Sequence, residues 1–240
     1  MSRSEFTSWT LYNAFGFLIS LGAVDAVVLA MQTWLLPPET VAERALTIVA
    51  LLGAGTFEGL LVGTMQWQVL KRRVQQITWS RWAGFTLLAS LLCWLVGILP
   101  YLLIRFGPFR DDVPVQNFFQ HPWLPVFVVG GMLFLAWIRG YFQAVALSTY
   151  VRRGQHWWAI FNTPAWFAGY GALLVGVIFF QDAESTVAQL GILLGTTVVG
   201  GFLLGVISAP ALGKVRANIK AVYKEEEASE ETPPAAEEED

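Results

Sequence analysis

The chain has 240 residues, of which 55% are apolar and only 14% charged, against roughly 25% charged in an ordinary soluble domain. Its mean hydropathy of +0.53 excludes a water-soluble globule, and a single cysteine, Cys93, excludes an internal disulfide framework. The net charge of −3 hides an asymmetry: the last 16 residues hold nine carboxylates and no base, and setting those aside leaves +6 on the other 224.

A bilayer core about 30 Å thick takes about 20 apolar residues at 1.5 Å each. Six stretches qualify: residues 11–35, 46–70, 83–104, 125–150, 159–180 and 187–212. The first is too long for a signal-peptide core and is interrupted by Asp25, so it is expected to stay as a helix. The second carries Glu58 near its middle and ends in Gln66, Lys71, Arg72 and Arg73, with Arg81 following. The third contains Cys93, read as a small apolar residue. A Phe- and Pro-rich loop, residues 105–122, follows and could lie on the membrane surface or dock a partner. The fourth span carries Arg139 near its centre and Gln143 one turn on, with Arg152 and Arg153 after it. Six residues, 181–186, separate the fifth span from the sixth, as in a tight turn. The tail from Glu225 to Asp240 lacks the apolar surface to offset its ordering entropy and is expected to be disordered.

Lys and Arg in short loops set orientation. Eleven fall on one side, which predicts that both termini are cytoplasmic. Trp9, Trp79, Trp82, Trp157 and Trp158 are expected in the inner aromatic belt, Trp34 and Trp123 in the outer one. Lys71, Arg72, Arg73, Arg81, Arg152 and Arg153 are candidates for holding anionic lipid headgroups, at about 1 kcal/mol per base.

The even-numbered spans share a pattern: Gly59-x3-Gly63-x2-Gln66-x3-Leu70, Ala136-x3-Gly140-x2-Gln143-x3-Leu147 and Gly201-x3-Gly205-x2-Ser208-x3-Leu212. All three run in the same direction, which predicts three parallel-related helical hairpins with span one paired to span six. Small residues four apart let helix backbones approach closely. Packing seams are therefore expected at these pairs and at Gly191/Gly195, with Gln66, Gln143 and Ser208 as polar groups crossing between helices. The segment from Gly59 to Arg73 resembles a loose group of uncharacterised bacterial multi-span proteins with repeated Gly-x3-Gly-x2-Gln-Trp-x2-Leu-basic hairpins. The likeness covers mostly spans two to six and implies the architecture alone. The other two copies depart from it, lacking the Trp after Gln143 and placing Ser208 where Gln would stand.

Asp25, Glu58 and Arg139 fall inside spans, where each costs about 2.5–3.5 kcal/mol on insertion scales. They are expected to form a midplane cluster, with the five donors of Arg139 meeting one or both carboxylates. The two histidines fall in loops on opposite sides, no lysine lies within a span, and no phosphate-binding loop occurs. No cofactor, metal, nucleic acid or enzymatic activity is expected. The leading expectation is an all-α, six-span bundle of the inner membrane, residues 1–224, serving as a non-catalytic scaffold or accessory subunit that packs against lipid or other membrane-protein subunits. The alternative is a small carrier or ion-translocating protein working through Asp25, Glu58 and Arg139.

Overall fold

The computed structural model describes residues 2–34, 40–106, 124–153, 155–181 and 183–217. Among them are six helices, α1 (Arg3–Trp34), α2 (Val41–Leu70), α3 (Trp79–Phe106), α4 (Leu124–Ser148), α5 (Gln155–Gln181) and α6 (Thr186–Lys214). Each coincides with one expected span to within about two turns at either end, because the backbone keeps its helical hydrogen bonds out into the interface. Stretches within α2 to α6 are long and apolar enough to cross a membrane. The acidic tail, the Phe-rich loop from residue 107, Trp123 and the side chains of Asp25, Trp34, Arg152 and Arg153 lie outside the described residues.

Helix starts follow local chemistry. Thr40 caps α2 in a reciprocal box: its backbone N–H donates to Glu43 at 2.9 Å, and the Glu43 N–H donates to the Thr40 hydroxyl at 3.2 Å. Ser185 caps α6 by accepting from the Ala188 N–H at 3.2 Å. Between α2 and α3 the chain tucks beneath the bundle. Val74 and Ile77 are buried there, and the Trp67 indole donates to the Ile77 carbonyl at 3.0 Å.

Successive helices pack antiparallel in chain order, and α6 returns to lie against α1, so the six close into a ring. The composition is turned inside out relative to a soluble protein. Asn13, Glu58, Gln66, Arg139, Gln143, Asn162 and Ser208 are buried, while Phe127, Trp137, Tyr141, Phe179 and Phe202 face outward. An outward apolar coat over a polar interior is what lipid as solvent selects.

Two features depart from expectation. A two-stranded antiparallel ribbon joins β1 (Val151–Arg153) to β2 (Arg216–Ala217), tying the α4–α5 connection to the end of α6; three residues are too few for a period-2 signal. Trp9, Trp82 and Trp158 are completely buried, whereas only Trp79 and Trp157 of the inner group are exposed. The belt assignment fails for those three because each sits on the inward stripe of its helix, a matter of rotation that depth along the sequence does not specify.

Candidate functional site

The small-residue pattern places the helices at close range. A Cβ on Gly59 would lie 2.7 Å from the Leu87 Cα, and one on Gly63 would lie 3.0 Å from the Ala83 Cα, so α2 and α3 meet backbone to backbone. On α4, Gly140 faces Ala159 and Thr163 of α5; on α6, Gly201 faces Ala14 and Phe17 of α1, and a Cβ on Gly205 would lie 2.6 Å from the Thr10 Cα. A Cβ added to Gly191 or Gly195 would meet nothing within 4 Å among the described residues. That pair is not a seam: it borders a groove on the outer surface of α5 and α6 with Val175 and Phe179.

Close approach brings polar side chains into layers. At the basic end, Trp158 stands edge-on to both Trp9 and Trp82, with ring centroids 5.6 and 5.3 Å apart. Four residues further along the same helices, Asn13, Thr86 and Asn162 each donate back to the carbonyl of that tryptophan, at 2.8, 2.9 and 3.1 Å. This recurring Trp-x3-Asn/Thr was a legible signal in the odd-numbered helices that the sequence reading missed. The Gln66 amide donates to Asn13 at 2.8 Å, the Gln143 amide donates to Gln66 at 2.8 Å, Trp158 donates to Gln143 at 3.3 Å, and Trp9 donates to Ser208 at 2.8 Å. All three expected interhelical polar residues therefore bond across helices. Ser208 is too short to reach as the glutamines do, and Asn162 Oδ1 and Trp82 Nε1 have no partner among the described residues.

Eight residues from Gln66 along α2, about 12 Å away, lies the charged layer. Arg139 Nη2 donates to Glu58 Oε2 at 2.7 Å and to the Ser90 hydroxyl at 3.0 Å. The same Glu58 oxygen accepts from Ser90 at 2.8 Å and from the Trp94 indole at 2.8 Å. The guanidinium lies over the Trp166 ring at 4.2 Å and 5.6 Å from that of Tyr170. Desolvated cation–π contact of this kind is worth about 2 kcal/mol. Gly55 makes room for the arrangement, since a Cβ there would meet the Trp94 ring at 2.5 Å. Sequence reasoning found Glu58 and Arg139 by their charge. It missed Ser90, Trp94, Trp166 and Tyr170, which resemble ordinary membrane-helix residues until the helices are packed.

The layer is incompletely satisfied. Arg139 Nε and Nη1, the Tyr170 hydroxyl and Trp166 Nε1 are buried without hydrogen-bond partners among the described residues, and each such group costs about 1–3 kcal/mol. On the side away from the basic end, a cavity of about 320 Å³ adjoins them, walled by Leu21, Leu51, Leu135 and Leu173 together with Glu58, Cys93, Trp94, Gly97, Arg139 and Tyr170. Its volume is at the lower end for ligand pockets. Towards the basic end, the glutamine layer and the three tryptophans fill the interior.

Of the headgroup candidates, Arg73 forks onto Glu5 at 3.0 and 2.7 Å and donates to the Leu212 carbonyl at 3.3 Å. Arg81 donates to the Ala146 carbonyl at 3.2 Å and the Thr149 hydroxyl at 2.7 Å. Both clamp helix ends. Lys71 lies over the Trp67 ring at 4.2 Å, and Arg72 is exposed. The groups His, Cys, Asp and Glu form no cluster able to hold a metal among the described residues. Comparison with family models, with curated proteins and with solved structures gave no match.

Proposed function

We propose that this is a six-span protein of the inner membrane, with both ends of the chain in the cytoplasm, that holds a small lipophilic ligand inside its helix ring and catalyses no reaction. The observation that carries this reading is the cavity ending on the Glu58–Arg139 pair, beside donors without a hydrogen-bond partner among the described residues. It favours the carrier expectation over the scaffold one. The accessory-subunit reading has only the outward apolar faces behind it, and lipid covers those equally well. Passage towards the basic end would require the glutamine and tryptophan layers to part, so the arrangement corresponds to a state loaded from the opposite half of the membrane.

Three related hairpins, α2–α3, α4–α5 and α6–α1, give the ring its construction. Matching seams at Gly59/Gly63, Ala136/Gly140 and Gly201/Gly205, and matching Trp-x3-Asn/Thr backbonds, support this. Arg72, exposed at the basic end, and Lys71, half-buried beside Trp67, serve anionic headgroups.

The test uses Gly97, which lines the cavity and where an added Cβ meets nothing within 4 Å, so a phenylalanine there is expected to occupy it. Native mass spectrometry of the full chain, released into mild detergent, is expected to find a retained small-molecule adduct. Gly97→Phe should keep its melting temperature and lose that adduct. Identical adducts on both proteins, or none on either, would overturn the reading.

A further inference from the structure

The charge balance of the cavity specifies the head of its ligand. Arg139 has five N–H donors; Nη2 is engaged by Glu58 and Ser90, and the three on Nε and Nη1 have no acceptor among the described residues. The Tyr170 hydroxyl adds a fourth unpartnered donor in the same wall. What is lacking is therefore acceptors. An anion would supply them, but the guanidinium charge is already neutralised by Glu58 at 2.7 Å. A second carboxylate would leave an uncompensated negative charge in a low-dielectric interior, which is strongly disfavoured. A carbonyl oxygen accepts the same hydrogen bonds without that penalty.

We infer that the cavity takes a neutral lipophile with a carbonyl head, its oxygen on Arg139 and Tyr170 and its apolar body among Leu21, Leu51, Leu135 and Leu173. The unpartnered donor atoms are shut off from solvent, so they accept the head only once a neighbouring wall side chain gives way. Trp166 lies 4.2 Å from the guanidinium carbon and supports its plane. The assignment rests on the ligand-holding reading above and deepens it.

Titration calorimetry on the full chain in mild detergent tests it with three probes of matched length: decane, 2-decanone and decanoate. The ketone is expected to bind at least roughly tenfold tighter than either of the others, the difference a satisfied buried donor set makes. Tyr170→Phe removes one donor and keeps the ring, so it should weaken the ketone about three- to tenfold and leave decane unchanged. Equal affinity for ketone and decane would overturn the head assignment while leaving a lipophile cavity. Tightest binding of decanoate would overturn its neutrality. Binding of none of the three, with Gly97→Phe indistinguishable from wild type, would bring down the ligand-holding function as well.

Discussion

Arg139 shows how a single residue is made tolerable at membrane depth. Its charge is met by Glu58, its plane by Trp166, and Ser90 bridges the ion pair. Removing one partner strands the other. Glu58→Gln and Arg139→Gln are each expected to lower stability by about 3–5 kcal/mol, whereas the double variant should lose less than either single change. Unfolding in detergent measures the cycle, and additive losses would mean that the charges act independently. The indole of Trp94 reaches Glu58 only because Gly55 lacks a side chain. Gly55→Ala should therefore displace that indole and cost about 1–3 kcal/mol, read as a drop in melting temperature that Trp94→Phe abolishes. The pairing of Glu58 with Arg139 was legible because opposite charges in lipid seek each other. The supporting shell was not, because an uncharged Ser, Trp or Tyr carries no such compulsion.

Small residues decide how the helices meet. Gly205 and Gly59 touch opposing backbone, so an alanine at either position must push a whole helix away. Gly205→Ala is expected to destabilise the α1–α6 seam by about 1–3 kcal/mol. Gly191→Ala should be neutral or stabilising by up to about 1 kcal/mol, since nothing opposes its Cβ and alanine favours the helix. Thermal unfolding of the two variants side by side tests the contrast, and equal losses would refute it. The same Gly-x3-Gly spacing was present in both places. A small pair permits close approach but does not compel it; a complementary neighbour must be present, and sequence spacing says nothing of the neighbour.

Across the whole molecule, ring closure brings the start of the chain to the basic end of α2 and α6. Arg73 forks onto Glu5 and reaches the Leu212 carbonyl, joining three helices. Hydrogen bonds from Arg73, and then from the Ser2 backbone, draw the Glu5 carboxyl down from its ordinary value of 4.5 to about 2. A depressed folded-state value stabilises the protein at pH above 4.5, and the benefit disappears as pH falls from there to about 2, because the unfolded chain takes up its proton first. The pair is partly exposed, so its worth is below about 1 kcal/mol. Melting temperatures of wild type and Glu5→Gln should differ slightly at neutral pH and converge across that acid window. A difference independent of pH would mean that the clasp works by packing rather than charge.

Hydropathy and composition were enough to lay out six helices to within about two turns and to identify Glu58, Arg139, Gln66 and Gln143 as interior groups, because lipid admits few alternatives for a long apolar run or a stray charge. Three-dimensional packing alone assigned Trp9, Trp82 and Trp158 to the core and left open space where side chains at Gly191 and Gly195 would point. It also set Trp166 and Tyr170 around the guanidinium beside an apolar cavity. Each of those outcomes depends on how a helix is rotated about its axis and on what stands opposite. Both are settled by the summed contacts of the closed ring, and no local run of residues encodes them.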